Sequence, residues 1–245
     1  MHDGEDEDTI NAHIAGMHKE MNKSSPNYDY LADSMKRTFS GRRSWIGLHI
    51  PSVKDVLEKY PALSKSTIVH LEFNLISKVQ LVGTLTQAFQ RVSLKIVNTV
   101  RKKRHLDTLL NEIISRLESA TEPSESNDVL LTAAVCVLPS LVKERVEAFI
   151  RPDDSGTNFI FPTVTYEPGG SVFNATQFIV RLEEISIAEG TLLEAVATQI
   201  ALYWAFDIVF DPKAKRSLDL ICRAAHVDSG VSPTPLVRLA AALFE

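Results

Sequence analysis

The chain has 245 residues, of which 44% are hydrophobic, 23% charged and 7% aromatic. Those values exclude a disordered, collagenous or fibrous protein and suit one large domain or two small ones. The formal charge is −5, and Asp3, Glu5, Asp6, Glu7 and Asp8 alone supply five negative charges. The remaining acids balance the 26 lysines and arginines, so net charge gives no argument for nucleic acid.

Residues 1–26 read as an acidic, flexible tail with a marginal helix over 10–21. His2, His13 and His18 lie there near carboxylates, but their spacing matches no closed metal site, and a solvated tail is the expectation. From Tyr28 the pattern turns helical: Tyr28, Leu31, Met35 and Phe39 recur at three-to-four spacing, and Gly41 is expected to loosen or end the helix. Ser52 with Asp55 at the third helical position predicts a short capped helix stopped by Pro61. Ser66 is expected to cap the next helix, which runs to about Ser77.

The longest helix is predicted over 79–103, because Val82, Leu85, Phe89, Val92, Ile96 and Val100 form one apolar stripe. The cations Arg101, Lys102, Lys103 and Arg104 close it, where they complement the C-terminal dipole. A second helix over 106–117 carries Leu106, Leu109, Leu110, Ile113, Ile114 and Leu117. Residues 119–128 hold no strong apolar side chain and read as a linker between a helical subdomain over 27–118 and an α+β subdomain over 129–245.

Beyond it, helices are predicted over 129–138 and 141–150, with a break or bend at Pro139. Phe159-Ile160-Phe161, Val164-Thr165-Tyr166, Phe178-Ile179-Val180 and Ile185-Ser186-Ile187 are β-branched or aromatic clusters, of which two or three form strands. The last two pair as a hairpin across Glu183-Glu184. Thr191 and Glu194 make a capping-box signature opening a nearly all-apolar helix through Val196, Ile200, Tyr203, Trp204 and Phe206, which covers the hairpin. Trp204 and Phe206 are expected to be largely buried. Asp211-Pro212 is expected to start a further helix, and a last one spans 235–244. The fold class is therefore mainly α with a small antiparallel β element.

Cys136 and Cys222 are the only cysteines, and both read as buried thiols in helices rather than as a disulfide or metal pair. The longest nearly apolar run, 129–139, is shorter than a bilayer-spanning helix, and no secretory signal opens the chain. Ten glycines, with no phosphate loop or dinucleotide fingerprint, argue against a nucleotide fold. Zinc-helix, paired-cysteine and nucleophile-elbow patterns are absent from the sequence. Glu183 and Glu184 read as a solvated turn, and Cys136 with His226 as an inert pair. No catalytic residue, metal ligand or cofactor is assigned.

Several ordered patterns carry a resemblance. Asp33-Ser34-Met35-Lys36-Arg37-Thr38-Phe39, Arg42-Arg43, Trp45-Ile46, and then Ser52-Val53-Lys54-Asp55-Val56-Leu57-Glu58-Lys59-Tyr60-Pro61-Ala62-Leu63 and Leu71-Glu72-Phe73 form one set. Val137-Leu138-Pro139, Ala175-Thr176-Gln177-Phe178-Ile179-Val180, Leu192-Leu193-Glu194-Ala195 and Tyr203-Trp204-Ala205-Phe206-Asp207-Ile208 form another. Over roughly 6–225 the chain resembles the animal group of sterile alpha motif domain-containing protein 3-like proteins. Longer members carry an upstream sterile alpha motif, an oligomerising helical domain, or a basic region; this chain contains neither. The resemblance also implies an origin near mobile elements, and it supplies no catalytic residues.

Three functions are weighed. The expected one is a non-enzymatic, intracellular protein-protein interaction or assembly module, nuclear or cytoplasmic, with a protein partner or self-association and no membrane. The alternative is nucleic-acid binding through Lys36, Arg37, Arg42, Arg43 and Trp45 together with Arg91, Lys95, Arg101, Lys102, Lys103 and Arg104. The third is an enzyme whose site is assembled from distant residues.

Overall fold

A computed structural model describes residues 7–153 and 156–245, so the expectations placed on residues 1–6 lie outside the described residues. The first helix, α1 (Glu7–Met21), starts a turn earlier than its apolar pattern, because Glu7 and Asp8 suit the positive end of the helix dipole. It is part of the packed structure: Met17 is fully buried, and Glu20 accepts the backbone N–H of Asn27 at 2.6 Å. The helix expected over 10–21 is present, and it is packed against the protein instead of belonging to a flexible tail.

α2 (Tyr28–Arg37) is capped by Asn27, whose side chain accepts the Tyr30 N–H at 3.1 Å. The break before α3 (Phe39–His49) falls at Thr38 and not at Gly41, which sits inside α3. Thr38 Oγ1 donates to Ser34 O at 2.8 Å, a back-bond that bends helices. Ser52 and Asp55 form the expected capping box at the start of α4 (Val53–Lys59), and Pro61 opens a 3-10 turn over Pro61–Ser64. In α5 (Ser66–Ser77), Lys65 holds the cap position and Ser66 is the first helical residue, which frees its hydroxyl for a distant partner.

α6 (Leu81–Val100) buries its predicted stripe, with Leu85, Phe89, Ile96 and Val100 fully enclosed. α7 (Asp107–Ser119) follows a short 3-10 turn. α8 (Pro123–Val137) takes in most of the stretch read as a linker, because Glu122 and Glu125 form a capping box that begins the helix there. The break between α7 and α8 is three residues, 120–122, and the buried side chains on both sides of it belong to one cluster.

Residues 141–150 form no α-helix. Pro139 sits in a 3-10 turn over Leu138–Val142, a second covers Val146–Ala148, and β1 (Ile150–Pro152) follows. With β2 (Thr163–Tyr166), β3 (Phe178–Leu182) and β4 (Ile185–Glu189) it makes a four-stranded sheet in the order β1-β2-β3-β4. β1 runs parallel to β2 and the other pairs are antiparallel, so the sheet is mixed. Phe159-Ile160-Phe161 is a loop, fastened where the Glu183 N–H donates to Phe159 O at 2.7 Å. The β3–β4 hairpin turns at Glu183 and Glu184, both exposed, as predicted.

α9 (Leu192–Ala205) carries the expected capping box between Thr191 and Glu194 and lies on the apolar face of the sheet. A hairpin alone is marginal in water. Burying Val180, Leu182 and Ile187 under α9, at roughly 1.5–3 kcal/mol for each full burial, is what holds it. Phe206 is 5% exposed, whereas Trp204 is only partly buried, its ring 5.4 Å from Phe73 and 5.7 Å from Phe210.

α10 (Lys215–Ala224) does not start at Asp211-Pro212. Its N-terminus is set by Glu144, whose carboxylate accepts the backbone N–H groups of Arg216 at 3.0 Å and Ser217 at 2.8 Å. α11 (Pro235–Ala241) is capped by Thr234, and Phe244 beyond it packs on Phe89 at 5.5 Å.

Candidate functional site

The basic residues of the sequence divide into two groups. Arg42 is fully buried: Nη2 and Nε meet Glu72 at 2.5 and 3.2 Å, Nη1 meets Thr38 Oγ1 at 2.7 Å, and Nη2 also donates to Met35 O at 2.9 Å. It is stacked 5.1 Å from the Tyr60 ring, whose hydroxyl pKa burial pushes up. Arg43 donates to Ala205 O at 3.0 Å, Arg91 to Phe244 O, Lys103 to Ser140 O and Arg37 to Asp33 at 2.7 Å. Trp45 is half-buried under the Lys59 ammonium, 4.5 Å from its ring centroid. Lys36, Lys95, Arg101, Lys102 and Arg104 remain as exposed cations. Internal contacts therefore occupy Arg42 and Arg43, which adjacency in sequence had set beside Trp45 as one cluster.

The same region presents an apolar surface that the periodicity did not single out. Leu48 is 77% exposed and Ile50 84% exposed. Ile50 follows α3 as its left-handed cap, with φ of 46°. A β-branched residue is strained there, at a cost of about 1–3 kcal/mol, and glycine is the usual occupant. The only sequence signal was Pro51, which ends helices near the residue before it.

A polar cluster joins α5, β4 and α9. Ser66 Oγ and Thr198 Oγ1 each donate to Glu189 Oε1 at 2.6 Å, and His70 Nε2 lies 2.8 Å from Thr198 Oγ1. The Thr198 hydrogen is committed to the carboxylate, so His70 must donate through Nε2. A nucleophile and base need the opposite polarity, the hydroxyl donating to the imidazole. The cluster is thus a cross-link between helices and sheet. Burial lowers the His70 pKa, opposed by Glu189 and Glu194.

Both cysteines are free and buried, and burial raises the Cys136 thiol to about 12 and the Cys222 thiol as well. Among the described residues no His, Cys, Asp and Glu group is arranged to hold a metal. Residues Pro123–Val142 have the length and a mean hydropathy of 1.3 that would suit a bilayer span, which the run 129–139 alone did not indicate. Half of that stretch is buried in the protein, and α8 packs mainly on α6, as the core helix of a folded domain does.

The described residues thus define a mainly α protein with a small mixed sheet, whose N-terminal helices α1 to α4 carry the exposed pair Leu48 and Ile50. Residues 11–65 match the family described as sterile alpha motif domain-containing protein 3, helical domain. No curated protein and no solved structure matches the chain.

Proposed function

We propose that the protein is a non-enzymatic, intracellular protein-protein interaction module, and that the end of α3 is the surface it uses. The observation that carries this reading is Ile50. A large apolar side chain is held outward in a strained left-handed conformation beside the exposed Leu48, inside the segment matched to the family. Scattered apolar residues on a surface are ordinary. Backbone strain that supports such exposure is not, and strain of this kind gathers at functional positions. The nucleic-acid alternative loses Arg42 and Arg43 to internal contacts and rests on Lys36, Lys95, Arg101, Lys102 and Arg104.

The test is recovery of partners from cells with the intact chain and with Leu48→Asp plus Ile50→Asp, both checked for folding. Proteins held by the wild type and lost by the variant are expected. The same set recovered by both overturns the reading. Salt-sensitive binding to nucleic acid, lost on Lys95→Glu with Arg101→Glu, would favour the alternative.

A further inference from the structure

On the far side of the molecule's sheet a second feature stands apart from the α3 surface. Arg151, on the edge strand β1, points to the face opposite Ile150, and its guanidinium carbon lies 4.9 Å from the Phe159 ring centroid. Its Nε is buried without a hydrogen-bond partner. Arg181 and Arg223 also have an unbonded Nε, but each pairs with a carboxylate, Asp153 and Asp219 respectively. Arg151 has no such pair among the described residues. The residue as a whole is half-buried and only Nε is enclosed, but a buried guanidinium N–H without an acceptor is costly, which makes this position unusual.

Arg151 lines a cleft of about 380 Å³, within the range of small-ligand sites. Lys213 borders the same cleft and is exposed. Among the described lining residues Asp211 is the one carboxylate; it accepts the backbone N–H of Lys213 at 2.9 Å, and against Arg151 and Lys213 it leaves these residues with one net positive charge. Its walls are fixed in advance: Glu183 holds the Phe159 carbonyl, and Gln199 Nε2 donates to Pro162 O at 2.7 Å. Ile160, 63% exposed, and Phe161 form an apolar rim.

We propose that this cleft binds a small oxyanion, a carboxylate or phosphate monoester, carried on an aromatic or apolar body. The guanidinium fork matches two oxygens of either group, Phe159 fixes the plane of the fork, and the rim covers the body of the ligand. Lys213 adds a second charge at the mouth.

Calorimetric titration of the full chain with benzoate and with phenyl phosphate tests the assignment. Saturable binding of at least one probe is expected, and the tighter of the two identifies the headgroup. Arg151→Gln should weaken it about tenfold or more, and Arg151→Lys, which keeps charge without the fork, by an intermediate factor. Lys213→Gln, on the surface and harmless to folding, should weaken it about threefold. Absence of saturation with both probes overturns the proposal. So does a folded Arg151→Gln protein, or a Lys213→Gln protein should the first not fold, that binds as the wild type does.

Discussion

Arg42 and Glu72 meet at 2.5 Å with neither side chain exposed to solvent. Two charges removed from water keep their place because Thr38, Met35 and the Tyr60 ring satisfy the rest of the guanidinium. Removing one partner leaves the other buried and uncompensated. Glu72→Leu and Arg42→Met should each lower stability by about 3–5 kcal/mol in urea denaturation. The double variant should recover most of that loss, and additive losses would show that the pair is not coupled.

Ile50→Gly should raise stability by roughly 1 kcal/mol, because glycine adopts the left-handed conformation without a Cβ penalty. The same change should weaken partner capture. Stabilisation without loss of capture would separate the strain from the interaction.

The His70 contact sets a pH dependence of definite sign. Burial depresses the folded pKa below the ordinary value of about 6.5, so the unfolded chain binds the extra proton first. This contribution is complete above about pH 6.5 and is lost as pH falls through the folded value. Denaturation midpoints at pH 7.5 and 5.5 should differ more for the wild type than for His70→Gln. Equal differences would mean that His70 is not the group responsible.

Cys136 and Cys222 should resist an aqueous thiol reagent in the native protein and react together on unfolding, since burial holds both in the unreactive thiol form. Rapid labelling of either thiol under native conditions would contradict that burial.

Trp204→Ala should cost less than the about 3–5 kcal/mol of a fully enclosed aromatic, because Trp204 is only partly buried. Thr191→Ala should cost about 1 kcal/mol through loss of the α9 cap. Chemical melts of the two variants rank these effects.

Local signals were legible wherever a helix sets its own boundary. Ser52 with Asp55, and Thr191 with Glu194, announce α4 and α9 in four residues each. Boundaries set from a distance were not legible. α10 begins where Glu144 can reach its N–H groups, some seventy residues away in sequence, and β1 forms only because β2 lies alongside it. The candidate surfaces follow the same division. Charge adjacency drew attention to Arg42 and Arg43, yet helix phase turns them toward Glu72 and Ala205. Leu48, Ile50 and the unpaired Arg151 carry no pattern, since exposure and the absence of a partner are properties of the folded chain.

The family match ends at residue 65, seven positions short of Glu72 and one short of Ser66. Cleavage there would strand a buried guanidinium and cut Arg43 off from the carbonyl of Ala205. The matched segment and the contacts of its buried side chains thus end at different places in the chain. Residues 11–65 take the counter-ion of Arg42 from the neighbouring helix, and a fragment limited to them should melt without a sharp transition.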